Sequence, residues 1–158
     1  MKIGIVSDTH SLELPQVMLE DFKGVDFIIH AGDFCSLDVL NTFKKIKDVK
    51  AVYGNMDGHD MRQVLPRKQI IPCGKFSIGV FHGEGAPKML LEKVQSEFQN
   101  EKVDAVIFGH SHQPMNEMIN GVLYFNPGSP NDTVHAPYRS YGILDVNDTI
   151  SGKIIKIK

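Results

Sequence analysis

Tryptophan is absent from this 158-residue chain and cysteine is nearly so, with only Cys35 and Cys73, far apart and forming no Cys-x-x-Cys pair. That scarcity argues against a disulfide scaffold or a thiolate zinc ribbon. Charge of one sign is lacking too: 17 Lys+Arg against 19 Asp+Glu give −2, so no basic field recommends nonspecific nucleic-acid binding. No apolar run approaches the roughly 18 residues of a membrane helix. The first such run ends at Ser7-Asp8, too soon for the hydrophobic region of a signal peptide. The expectation is a soluble, cytoplasmic protein with no membrane partner, one domain over 1–158. Composition is otherwise ordinary, 42% hydrophobic and 23% charged, and the unusual presence is seven histidines.

Apolar runs alternate with helical spacing through the first half. Ile3–Val6, Phe27–Ala31 and Val49–Tyr53 read as strands, separated by helices that place Leu14, Met18 and Phe22, then Val39, Leu40, Phe43 and Ile46, on single faces. Pro15 opens the first helix and Ser36 caps the second. This β-α-β-α-β order implies a parallel sheet. In the second half, Lys68–Pro72 and Phe76–His82 flank a turn at Cys73-Gly74, and Pro87 opens a third helix with Leu90, Leu91, Val94 and Phe98 on one face. Val103–Phe108 is a further strand. Asn120-Gly121 joins Asn116–Ile119 to Val122–Asn126 as a hairpin, and strands at Ser140–Val146 and Lys153–Lys158 follow. About ten strands and three helices favour two sheets over one.

Five strands end in residues able to bind a metal: Asp8, His10, Asp33, Asn55, His82, His110 and His112. The C-terminal ends of parallel strands lie along one rim, where such side chains converge. Taken singly, Asp8-Thr9-His10 or Gly32-Asp33 is weak. Together they form a rim of polar groups that would be costly to bury without a shared partner. Imidazole, carboxylate and amide donors without thiolate suit Mn²⁺, Fe²⁺, Ni²⁺, Co²⁺ or Zn²⁺.

Asp8-x-His10, Gly32-Asp33, Gly54-Asn55-x-Asp57, His82-Gly83 and Gly109-His110-x-His112, in this order, resemble the five motifs of the calcineurin-like metallophosphoesterases, and most of all their small prokaryotic phosphodiesterases. The resemblance implies an α/β fold, a four-layer α/β/β/α sandwich of two mixed β-sheets flanked by helices. It implies a metal-dependent phosphohydrolase acting on a small phosphoester, phosphodiesters before monoesters. Two divalent ions are implied, Mn²⁺ first among them: Asp8, His10 and His112 around one, Asn55, His82 and His110 around the other, and Asp33 bridging. Asp33, Asn55 and His82 are then also the catalytic candidates, and a water shared by the ions replaces a protein nucleophile. Small relatives leave a homodimer open. The rival from another class is an assembly scaffold similar to the retromer subunit of this fold.

Two positions depart from the family pattern. Met56 stands where many relatives carry a proton-donating His after the Asn, and Glu84 stands where small relatives often carry His after His82-Gly83. Blander roles are expected elsewhere: His30 packed or orienting a ligand, Asp57 orienting a ligand or forming a turn, His59 on a polar loop. Arg139 reads as a salt-bridge residue or a phosphate contact, and Cys35 and Cys73 as reduced core thiols. Asn126-Pro127-Gly128-Ser129 reads as a turn beneath the site.

Overall fold

Alternation along β1 (Lys2–Val6) gives the strand two apolar faces. Ile3 and Ile5 enter one buried cluster, while Val6 enters another. Gly4 leaves room for Phe22 of α1 (Gln16–Lys23), whose ring would lie 2.8 Å from a Cβ at that position. A strand buried on both faces must be central, and β1 is. It pairs in parallel with β2 (Phe27–His30), which pairs with β3 (Val49–Ala51), and antiparallel with β9 (Ser140–Val146), which pairs with β10 (Ile150–Lys156). The second sheet holds β4 (Lys68–Cys73), β5 (Phe76–Phe81), β6 (Ala105–Ile107), β8 (Val122–Asn126) and β7 (Met115–Ile119) in that order. This structure is a computed structural model that describes residues 1–10 and 13–158.

Both sheets are mixed, as expected. Ile3, Ile5, Ile29 and Val52 meet Ile78, Val80, Ile107 and Phe125 between them. On its outer face the first sheet carries α1, α2 (Leu37–Lys44) and α3 (His59–Val64), which bury Met18, Phe22, Leu40, Phe43 and Met61 against it. The second sheet packs Phe81, Val106 and Tyr124 against Leu90, Val94 and Phe98, most of them from α4 (Leu90–Glu97). These are the four layers of the α/β/β/α sandwich.

Local chemistry explains the boundaries. Ser36 caps α2 by accepting from Asp38 N–H at 3.1 Å. Asn120 and Gly121 both have positive φ, 49° and 81°, as their two-residue hairpin requires. Other expectations need correcting. The β4–β5 turn is Gly74-Lys75, because Cys73 pairs with Phe76 and is itself buried in the core. Among the described residues four α-helices form rather than three, and His59 begins α3 instead of lying on a loop. With six residues and Met61 alone buried, α3 is too short to show a helical period.

Phe125 of the second sheet is fully buried against the first, filling the space left by Gly142 and Gly152, where a Cβ would overlap its ring. Truncation leaves a cavity that two rigid sheets cannot close. Phe125→Ala should lower the unfolding free energy by about 3–5 kcal/mol in denaturant titration. A loss below about 1 kcal/mol would show that the sheets are not locked at this contact.

Candidate metal centre

The ligand-type residues sit where strands end, on backbone that most side chains avoid. Asp8, His10, Asp33, Cys35, His110 and His112 all have positive φ, between 49° and 69°. They form three pairs spaced two residues apart, each just after β1, β2 or β6. Holding non-glycine residues there costs energy that surrounding structure must offset, and such residues concentrate at functional sites. Backbone bonds tie the loops together: Asp8 N–H to Gly32 O and His10 N–H to Asp33 O, each at 3.0 Å. Glycine permits the closest approaches, since a Cβ on Gly54 would overlap Asp33 and one on Gly109 would overlap Ser7 and Asp8.

The partners of each imidazole decide which nitrogen is bare, and thus free to bind a cation. His82 gives its Nδ1–H to Ala31 O at 2.7 Å. Its bare Nε2 then faces Asn55 Oδ1 at 3.1 Å, Asp33 Oδ2 at 3.3 Å and Asp8 Oδ1 at 3.9 Å. His110 gives Nε2–H to Gly85 O at 2.7 Å, leaving Nδ1 3.0 Å from the same Asn55 oxygen. His112 presents Nδ1 to the Asp132 carboxylate, and its Nε2 lies 3.3 Å from Asp8 Oδ1 and 3.1 Å from His10 Nε2. His10 has Nδ1 3.4 Å from Cys35 Sγ, whose own proton points to Met56 O.

Acceptors thus face acceptors at two poles, and lone pairs at these separations repel unless a proton or a cation lies between them. Asp8, His10 and His112 gather ligand atoms at one pole, and Asp8, Asp33 and His82 gather theirs beside it. Asp8 is therefore common to both groups, while Asp33 belongs to the second and has its Oδ2 4.0 Å from His10 Nε2. Among the described residues, fully buried Asp8 Oδ1 has no hydrogen-bond partner. An orphaned buried carboxylate oxygen inside a ring of bare imidazole nitrogens fits a divalent cation, and the hard-to-borderline donor set fits the ions named above.

Protons compete for the same atoms. Burial disfavours a charged His112, yet Asp8 and Asp132 outweigh it and push its pKa up to about 9. Burial likewise opposes charge on His82, and Asp8 and Asp33 still raise it. Burial tends to raise both Asp8 and Asp33, but the facing imidazoles hold their carboxyls below the usual range.

The supporting residues divide into those the sequence suggested and those it did not. Asp57 is buried and its carboxylate accepts from three backbone amides, Asp33 N–H at 2.9 Å, Gly54 N–H at 2.8 Å and Cys35 N–H at 2.8 Å, so it clamps two ligand loops together. His30 is fully buried, takes Gly32 N–H on Nδ1 at 3.1 Å and stacks on Phe34; desolvation keeps it neutral, well below the ordinary imidazole pKa. Ser129 and Asn126 hold the backbone carbonyls of Asp8 and Gly109, which makes their segment the expected turn beneath the site. Arg139 is outside the centre and binds Lys158 O at 3.0 Å. Cys35 is not a core thiol but half-buried beside His10, while Cys73 is buried. Asp132 and Arg62 had no signal: Asp132 reaches the site through His112, 20 residues away, and Arg62 through the backbone carbonyls of Gly54, Asn55 and Asp57, contacts that no spacing records.

A rim of carboxylates and imidazoles at the strand ends of a two-sheet sandwich has the donor set of a metal-binding protein. Residues 1–149 match the calcineurin-like phosphoesterase superfamily domain, and the chain belongs to that superfamily. It is 37% identical to a probable metallophosphoesterase of Methanocaldococcus jannaschii, across 100% of this chain and 82% of that one. A phosphodiesterase of the same organism is 33% identical over 81% of this chain and 83% of its own. Among solved structures, a Vps29 single mutant from Entamoeba histolytica matches with a TM-score of 0.81 over the full length of both chains; at 23% identity, this likeness shows the fold alone.

Metal uptake should release protons. In the metal-free protein His112, with its pKa raised to about 9, adds stability that is complete below the unfolded value of 6.5 and is lost as pH rises through about 9. A metal needs that imidazole neutral, so binding near pH 7.5 must displace its proton, and affinity should climb with pH up to about 9. Calorimetry of Mn²⁺ binding in buffers of different ionisation enthalpy should therefore give buffer-dependent heats. Asp132→Asn should shrink that dependence and weaken binding by about 10–100-fold. Heats independent of buffer would contradict the arrangement.

Proposed function

We propose that the chain is a phosphodiesterase with a dinuclear metal centre, and the observation that supports it best is the pair of acceptor clusters that share Asp8, with Asp33 Oδ2 3.3 Å from His82 Nε2 and 4.0 Å from His10 Nε2. Asp8, His10 and His112 would hold one ion, Asn55, His82 and His110 the other, with Asp33 between them. Mn²⁺ is the first choice, with Ni²⁺, Fe²⁺, Co²⁺ or Zn²⁺ as alternatives. Two such ions, when bound, neutralise phosphate oxygens and supply a water acidic enough to attack phosphorus in line.

The remaining work falls to the chain. Ala31 O and Asp132 orient His82 and His112, so each presents Nε2 to the centre. Cys35 is turned to His10 Nδ1 at 3.4 Å, while His10 Nε2 is the nitrogen that faces the centre, and burial and the neighbouring aspartates push the Cys35 thiol up to about 11 in the metal-free protein. Met56 N–H donates to Asp33 Oδ1 at 2.8 Å, which leaves Oδ2 for the centre. The Met56 side chain is exposed and carries no proton to give to a leaving group. A phosphomonoester brings extra charge and generally recruits further imidazole or cationic groups at the phosphate, and Met56 removes one of them, which favours diesters. Among the described residues no helix is long and apolar enough to cross a membrane. The cytoplasm is the proposed location. The scaffold alternative is disfavoured, because assembly needs neither intact ligands nor an Asp132 that steadies one of them.

Metal-dependent release of p-nitrophenol from bis(p-nitrophenyl) phosphate should exceed that from p-nitrophenyl phosphate, with metal content measured on the same sample. Asp33→Asn should reduce turnover by roughly 10²-fold or more while the fold persists. Full activity in that variant would remove Asp33 from the centre.

Position 56 provides a separate check. Met56→His should accelerate esters with alkyl leaving groups by up to about 10²–10⁴-fold and activated aryl esters little, since only the former need a proton. An unchanged alkyl-to-aryl rate ratio, with metal content intact, would show that this residue does not face the leaving group.

A further inference from the structure

Beside the Asn55–His82 pole lies a cleft of about 160 Å³. Two of its walls are built alike, each an arginine laid over an aromatic ring. The Arg62 guanidinium carbon sits 4.7 Å from the centre of the Tyr53 ring, and that of Arg67 sits 4.6 Å from Phe81. Stacking fixes the plane of a guanidinium, so less freedom is lost when it takes a ligand.

The two arginines differ in how their charge is answered. Arg67 gives Nη1 to Glu97 at 2.8 Å and has Glu84 3.7 Å from Nη2. Arg62 meets carbonyls only: Nε donates to Asp57 O at 2.9 Å, and Nη2 to Asn55 O at 3.2 Å and Gly54 O at 3.5 Å. Among the described residues Arg62 has no ion-pair partner and its Nη1 no acceptor. A cation locked onto the very turn that carries Asn55 therefore keeps free donors in a cleft that shares Asn55 and His82 with the centre. At the other pole, a cleft of about 320 Å³ runs from His10 and His112 to Val134 and is mostly apolar.

We propose that the cleft at Asn55 and His82 receives one organic arm of a phosphodiester, and selects an arm bearing an anionic group of its own, such as a second phosphoryl group, with Arg62 as its anchor and Arg67 as a second donor. The inference rests on the phosphodiester reading above and adds the substrate class. Glu84 is the group the incoming anion displaces, because its pairing with Arg67 is exposed and long, and such pairs are weak. The apolar cleft is left for the other arm.

Binding tests this without turnover. Benzyl(ethyl)phosphinate and benzyl(2-phosphonoethyl)phosphinate mimic diesters that differ in one arm and contain no hydrolysable bond. Titrated into Mn²⁺-loaded protein, the 2-phosphonoethyl compound should bind about tenfold tighter, the scale of a charge-assisted contact at a partly exposed site. Arg62→Met should bring that ratio close to one, Arg67→Met should lower it part way, and Glu84→Gln should raise it. The ratio cancels changes in folded fraction or metal content, and direct chelation by the phosphonate would not respond to the arginines. Equal affinities in the unmodified protein, or a preference that survives both arginine variants, would overturn the proposal. An arginine-dependent preference in a protein that hydrolyses no diester would instead sink the phosphodiesterase reading and leave the anionic-arm site standing.

Discussion

Asp8 Oδ1 is buried and charged, and imidazole nitrogens of His112, His10 and His82 lie 3.3, 3.8 and 3.9 Å from it, with no hydrogen bond to it among the described residues. Crowding bare acceptors around an anion is unfavourable in a low-dielectric setting unless positive charge joins them. In the metal-free protein a proton on His112 supplies such charge, its pKa pushed up to about 9 against the cost of burial, and Asp8 and Asp33 shift His82 in the same direction. A divalent cation does the same with directional bonds. The same crowding that makes the site costly to assemble suits it to a cation.

Assembly of that crowd depends on elements remote from it in sequence. The first sheet supplies Asp8, His10, Asp33 and Asn55 from the ends of β1, β2 and β3, and the second supplies His82, His110 and His112 from β5 and β6. Sheet packing sets their mutual distances. Phe125 wedged over Gly142 and Gly152, and Asp57 fastened to three amides, therefore bear on the centre as directly as the ligands do. Six positive-φ residues persist there because backbone bonds such as Asp8 N–H to Gly32 O tie each loop to its neighbour.

Much of this was legible in the chain. The apolar runs at Ile3–Val6 and Phe27–Ala31, the Asn120-Gly121 hairpin and the seven ligand-type residues at strand ends each follow from local patterns of two to six residues. What escaped was non-local or too short. Helix α3 buries a single side chain, so no period announces it. Asp132 lies 20 residues from His112 and meets it only because a loop folds back over the rim. The role of Cys35 depends on its half-buried place between His10 and Met56, whereas scarcity alone suggested a core thiol.

Anomalous diffraction from crystals soaked in Mn²⁺ is the most direct test of whether the acceptor clusters hold cations. Two peaks should appear, one among Asp8, His10 and His112 and the other among Asn55, His82 and His110, with Asp33 touching both. A single peak, or density at neither cluster with the fold intact, would contradict the dinuclear centre.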